Sequence, residues 1–137
     1  MGTEGVDISH GCFSGTEGEF DILRLIWARA AGYGVHDFRN QGGPMMPRLD
    51  FDRYSEDDML GEWPDGAPDD PIIILLVHNE HFGRIKWEHA PFLASRLEEL
   101  EHVLTAPGST PRGVLLTQQF IRGLRTASSY RQDVIFS

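Results

Sequence analysis

Seven residues fall in two clusters whose types could do chemistry: His10, Cys12 and Ser14 near the start of the chain, and His78, Asn79, Glu80 and His81 in its second half. Imidazole, thiolate and carboxylate together suit a transition metal, with His10, His78 and His81 as the candidate ligands, and three ligands with an open position make a hydrolytic centre. The spacing matches no metal signature: His10-x-Cys12 lacks a paired CxxC, and His78-x-Glu80-His81 is not HExxH. Nucleophilic catalysis would need an activated Cys12 or Ser14, with His10 two residues from Cys12, and a small hydrolase would draw on His10, Cys12, His78 and Glu80. The competing reading is a small half-buried cysteine and histidines bonded to nearby backbone. No cofactor is expected.

The glycine-rich stretch Gly11–Gly18 precedes a helix, and helix N-termini attract anions. Its pattern is neither GxGxxG nor a P-loop, and Glu17 and Glu19 would meet a phosphate with like charge. Arginines supply an alternative grip for an anion. The basic residues are eleven Arg and one Lys, Lys86. Arg24, Arg122 and Arg125 lie outside the buried stripes of their helices and complete a candidate ligand-binding set with His10, Ser14, His78 and Asn79.

The elements that would position these groups follow from hydrophobic period. Val6-Asp7-Ile8 alternates and suggests a strand over 6–10. Phe20, Leu23, Ile26, Trp27, Ala30 and Ala31 recur at helical spacing, giving a helix over about 15–32. Ser14 or Thr16 would cap it, with Glu17 or Glu19 completing a capping box, and Gly32 or Gly34 would end it. The run Ile72–Val77 is apolar on both faces and β-branched at its start, which suggests a central strand over 72–78. Leu93, Leu97, Leu100 and Leu104 mark a helix over about 90–104. Leu116, Phe120, Leu124 and Ala127 mark another over about 111–128, capped at Thr110-Pro111. A last strand is expected at 133–136. The sum is one α+β domain over 1–137: about three strands packed by three helices, with a long acidic loop at about 33–71 holding at most a helical turn near Ser55–Leu60.

Two strands each ending in histidine would bring His10 and His78 to one edge of the sheet if they ran parallel. The carboxyl ends of parallel strands are where open α/β sheets bind ligands.

Composition narrows the partners. Of a net charge of −9, the segment Asp50–Asp70 carries nine acids against Arg53 alone. Nonspecific nucleic-acid binding, which needs a basic footprint, is disfavoured. The acidic segment is either a solubilising loop or a face for a basic partner. No apolar run approaches the roughly 20 residues of a membrane span. The lone Cys12 suits a reducing compartment, so a cytoplasmic protein is expected.

Val6–Phe20, the stretches Leu75–Ile85 and Leu93–Leu100, and Gln119–Leu124 resemble a family of small uncharacterised proteins encoded by bacteriophages and some bacteria. Phe82 departs from the more acidic turn of that family. The resemblance implies a viral accessory protein acting in the host cytoplasm. A noncatalytic binding protein, an accessory or anti-defence factor, is therefore the leading expectation. It would capture a host protein or a small nucleotide-like ligand, with homo-oligomerisation open. A small hydrolase, metal-dependent or not, is the alternative, and a structural virion component the second alternative.

Overall fold

The computed structural model describes residues 5–43, 45–104 and 111–137. The architecture is mixed α and β, as the sequence implies, but the single three-stranded sheet is replaced by three two-stranded antiparallel pairs. Along the chain run β1 (Gly5–Ile8), β2 (Phe13–Thr16), α1 (Glu17–Ala30), β3 (Val35–Asp37), β4 (Met45–Pro47), α2 (Glu56–Met59) and α3 (Ile72–Leu76). They are followed by β5 (Arg84–Ile85), α4 (Ala90–Leu104), α5 (Pro111–Ser129) and β6 (Val134–Ile135). No helix among the described residues is long and apolar enough to cross a membrane.

β1 and β2 form a hairpin, with Ile8 opposite Phe13. His10 and Gly11 sit at its tip at φ of 62° and 73°, and the Cys12 N–H donates to the Ser9 carbonyl. Positive φ at both central residues matches the twist of a tight hairpin. β5 pairs with β6 across the intervening α4 and α5, and one bridge between Ile8 and Phe136 ties that pair to the β1–β2 hairpin. Main-chain bonds from Asp7 N–H to Ser137 and from Ser9 N–H to Ile135 complete that seam.

α1 begins where a capping box forms. The Thr16 hydroxyl accepts from the Glu19 N–H while the Glu19 carboxylate accepts from the Thr16 N–H. It ends at Gly32, at φ 88°, and the Tyr33 N–H returns to the Ala28 carbonyl. α4 and α5 pack as an antiparallel pair beside α1, each burying the apolar stripe read from sequence. Trp27 on α1 meets Phe120 on α5 edge-on at 5.4 Å, and its indole N–H donates to Thr117 Oγ1. The cap expected at Thr110 lies outside the described residues.

The segment expected as the central strand over 72–78 is instead the short helix α3. Its apolar run contains no period that separates a buried strand from a buried helix turn. The residues before it decide the matter. The Asp70 carboxylate accepts from the Ile72 N–H, the Ile73 N–H donates to the Asp70 carbonyl, and Pro71 holds a helical φ of −59°. Ile72, Ile74, Leu75 and Leu76 are all buried. The acidic stretch at 33–71 is also more ordered than expected. It carries the β3–β4 hairpin and α2, whose cap is Ser55 in a capping box with Asp58.

That stretch is pinned to the turn following α3. The Asn79 N–H donates to the Met59 carbonyl at 2.8 Å and the Arg84 N–H to the Leu60 carbonyl at 3.0 Å. Gly61, at φ 86°, lies so close that a Cβ there would fall 1.6 Å from the Arg84 carbonyl oxygen. Only glycine permits that approach.

Candidate functional site

The parallel arrangement that would have joined His10 and His78 does not form. β1 pairs antiparallel with β2, and His78 follows a helix rather than a strand. His10 stays at the hairpin tip. There its Nδ1 accepts from the Ser9 hydroxyl and its Nε2 donates to Gln132 Oε1, both at 2.8 Å. Ser14 is exposed on β2. Cys12 is fully buried, and burial pushes its thiol up to about 12. A thiol so far from ionisation is no nucleophile. A Cβ on Gly123 of α5 would lie 2.4 Å from Cys12 Sγ, so the cysteine fills a slot against that helix.

His78 is structural. Its ring is 2% exposed and stacks on Phe136, with Nδ1 2.7 Å from the Asn79 carbonyl oxygen and Nε2 2.9 Å from that of Arg84. Burial lowers its pKa, and the two carbonyls only partly oppose that. Both ring nitrogens are therefore committed to backbone carbonyls, and the ring ties the turn together.

Five of the residues singled out from sequence do converge. Arg24, His78, Asn79, Glu80 and His81 line one cleft of about 440 Å³ between α1 and the turn after α3. Arg24 projects from α1, stacked over the Phe20 ring at 4.8 Å. Its guanidinium donates to the His78 carbonyl at 2.9 Å, to Asp21 at 2.7 Å and to Glu80 at 2.6 Å. One cation thus serves two carboxylates. Burial, with the Asp21 carboxyl beside it, pushes Glu80 up to about 7 despite Arg24. Arg122 and Arg125 lie elsewhere, on the exposed side of α5, where Arg125 pairs with Glu98. The arginines therefore do not converge.

The cleft also holds residues the site reading missed. Met45 and Met46 of β4, Phe51, and Met59 of α2 supply its apolar wall. The signal in the sequence was a cluster of methionines and aromatics inside an otherwise polar stretch. Glu17, the first residue of α1, is the other omission. As a first-turn acid it is fully explained by the helix dipole, yet its carboxylate bonds to His81 Nε2 and lies near Glu80. The Asn79 side chain accepts from the His81 and Phe82 N–H groups and so fixes the turn that carries His81.

No protein family, curated protein or solved structure matches the chain.

Proposed function

We propose that this chain is a noncatalytic binding protein whose cleft takes a segment of a partner protein, an apolar side chain seated against Met45, Met46, Phe51 and Met59. The observation that carries the reading is this cleft, about 440 Å³ with a wall of methionines beside a polar edge of Asp21, Arg24, Asn79 and Glu80. Methionine is unbranched and polarisable, and surfaces rich in it adapt to varied apolar partners. Phe51 and Met59 come from the segment Asp50–Asp70, so the partner's flanking residues would meet most of the protein's negative charge. A basic, apolar-anchored segment is the complementary chemistry.

A nucleotide-like ligand is the less favoured occupant. Arg24 is already shared between two carboxylates, and Arg122 and Arg125 are not in the cleft. The hydrolase built on His10, Cys12, His78 and Glu80 loses its support as well, since its first two members lie outside the cleft and His78 is held by backbone. With the resemblance of the sequence to small phage-encoded proteins, the reading becomes an accessory factor that captures a host protein, and counteraction of host defence is the role such capture serves.

Chemical-shift titration of the full chain tests it. Short peptides carrying leucine or phenylalanine between lysines should perturb the methyl signals of Met45, Met46 and Met59, and Met59→Glu should abolish the effect. Matched acidic peptides and cyclic dinucleotides should leave those methyls unmoved. Perturbation by the dinucleotides alone would replace the protein partner with a nucleotide, and silence from all three would end the proposal.

A further inference from the structure

Beside the cleft, Glu17 from the first turn of α1 and Glu80 and His81 from the turn after α3 bring three ligand atoms within 4.8 Å of one another. From this geometry we infer that Glu17, Glu80 and His81 form a binding site for a divalent transition-metal ion, of which Zn²⁺ is the best fit. The inference is independent of what the neighbouring cleft takes.

The donor set selects the ion class. One imidazole with two carboxylates suits zinc and its neighbours, whereas magnesium and calcium favour all-oxygen cages. Metal–ligand bonds of about 2.0–2.2 Å place neighbouring ligand atoms roughly 3–3.5 Å apart, so the three groups need to shift by no more than a side-chain adjustment. The ion replaces the hydrogen bond that His81 Nε2 now makes to Glu17, and it is Nε2 that ligates.

Two features make the arrangement more than a chance meeting of surface acids. All three side chains are partly buried, at 21% exposure for Glu17, 22% for Glu80 and 27% for His81. Glu80 also stands among Glu17 and Asp21 with Arg24 as the countercharge that bonds it. A divalent cation supplies the charge that this convergence lacks. Both α1, through the Thr16 capping box, and the turn, through Asn79, hold their ligands from the backbone outward, so little ordering remains to be done on binding. Three protein ligands leave at least one coordination position, and Glu80 and His81 both border the cleft. A donor atom of the cleft's occupant can therefore reach the ion.

Isothermal titration of the chelator-treated full chain with ZnCl₂ is the test, with Co²⁺ absorption as a spectroscopic readout of imidazole ligation. One site per chain is expected. His81→Ala and Glu80→Gln should each weaken it by roughly tenfold or more, and His36→Ala should leave it unchanged. Glu80→Gln keeps side-chain shape and serves if His81→Ala fails to fold, which circular dichroism reports. Absence of a stoichiometric site overturns the inference, as does Zn²⁺ affinity that survives in both ligand variants. Equal affinity for Mg²⁺ or Ca²⁺ overturns the choice of a transition metal.

Discussion

The imidazole of His78 lies face to face on the phenyl ring of Phe136, with centroids 3.9 Å apart and planes 15° from parallel. This stack joins the turn that carries Asn79, Glu80 and His81 to the C-terminal segment after β6, whose Phe136 N–H also donates to the Gly83 carbonyl at 3.0 Å.

Removing the ring should therefore cost stability before it costs binding. His78→Ala is expected to lose roughly 2–4 kcal/mol, the range for emptying a well-packed buried site, as read by urea unfolding at pH 7.5. His78 has a folded pKa lowered from 6.5 by burial. Its contribution is present above that unfolded value and is lost as pH falls through the folded one. The wild-type midpoint should thus drop between pH 7.5 and 5.5, and His78→Phe should flatten part of that slope.

Asp70 organises the entry to α3 by accepting from the Ile72 N–H, from Tyr33 Oη at 2.7 Å and from Arg96 Nε at 2.9 Å. Burial alone would raise its pKa, but these bonds outweigh it and hold the carboxyl below its usual 3.8. Burial and the Asp70 carboxylate push the Tyr33 phenol up to about 12. Asp70→Ala should lose roughly 1–3 kcal/mol. The stability due to Asp70 is present above pH 3.8 and disappears as pH falls through the lower folded value. An acid titration in which the stability gap between wild type and Asp70→Asn does not narrow as pH falls from neutral to below 3.8 would contradict this.

Arg24 reaches the His78 carbonyl, Asp21 and Glu80 at once. Arg24→Lys should behave much like Arg24→Ala, because an ammonium lacks the planar fork that spans three acceptors. Both variants should lose roughly 1–3 kcal/mol in thermal or chemical unfolding. A lysine variant as stable as wild type would show that charge alone suffices.

Cys12 should resist alkylation by iodoacetamide at pH 8 in the folded protein and react readily in denaturant, following its burial and raised pKa. Gly123→Ala drives a methyl toward Cys12 Sγ and the Cys12 backbone, so it should destabilise by about 1–3 kcal/mol. Fast labelling of native protein would argue that the slot opens.

Much of the framework was readable before any coordinates. α1, α4 and α5 announced themselves through repeated apolar spacing, and Thr16 and Ser55 through their partner acids. Ile72–Val77 defeated the same logic, because a segment buried all round carries no amphipathic rhythm. Asp70-Pro71, a helix-entry signal, outweighed its β-branched start. The site divides along a similar line. Arg24, Asn79 and Glu80 were legible as reactive types near one another in sequence or on a helix face. Glu17 was hidden by a sufficient local explanation, and Met45, Met46 and Met59 by the looseness of the stretch they occupy. The pairing of His10 with His78 failed because the segment before His78 is a helix, and β1 takes β2 as its antiparallel partner.

The seam between Asp7 and Ser137 spans 130 residues of sequence. Contacts this distant are assembled late, since closing so large a loop offers no reward until both ends are in place. The α4–α5 pair can form from neighbouring residues alone, whereas the stack beneath the turn must wait for the seam. Kinetically, then, the turn that bears Glu80 and His81 should be among the last parts to lock and the first to loosen, and amide exchange there should outpace exchange in α5.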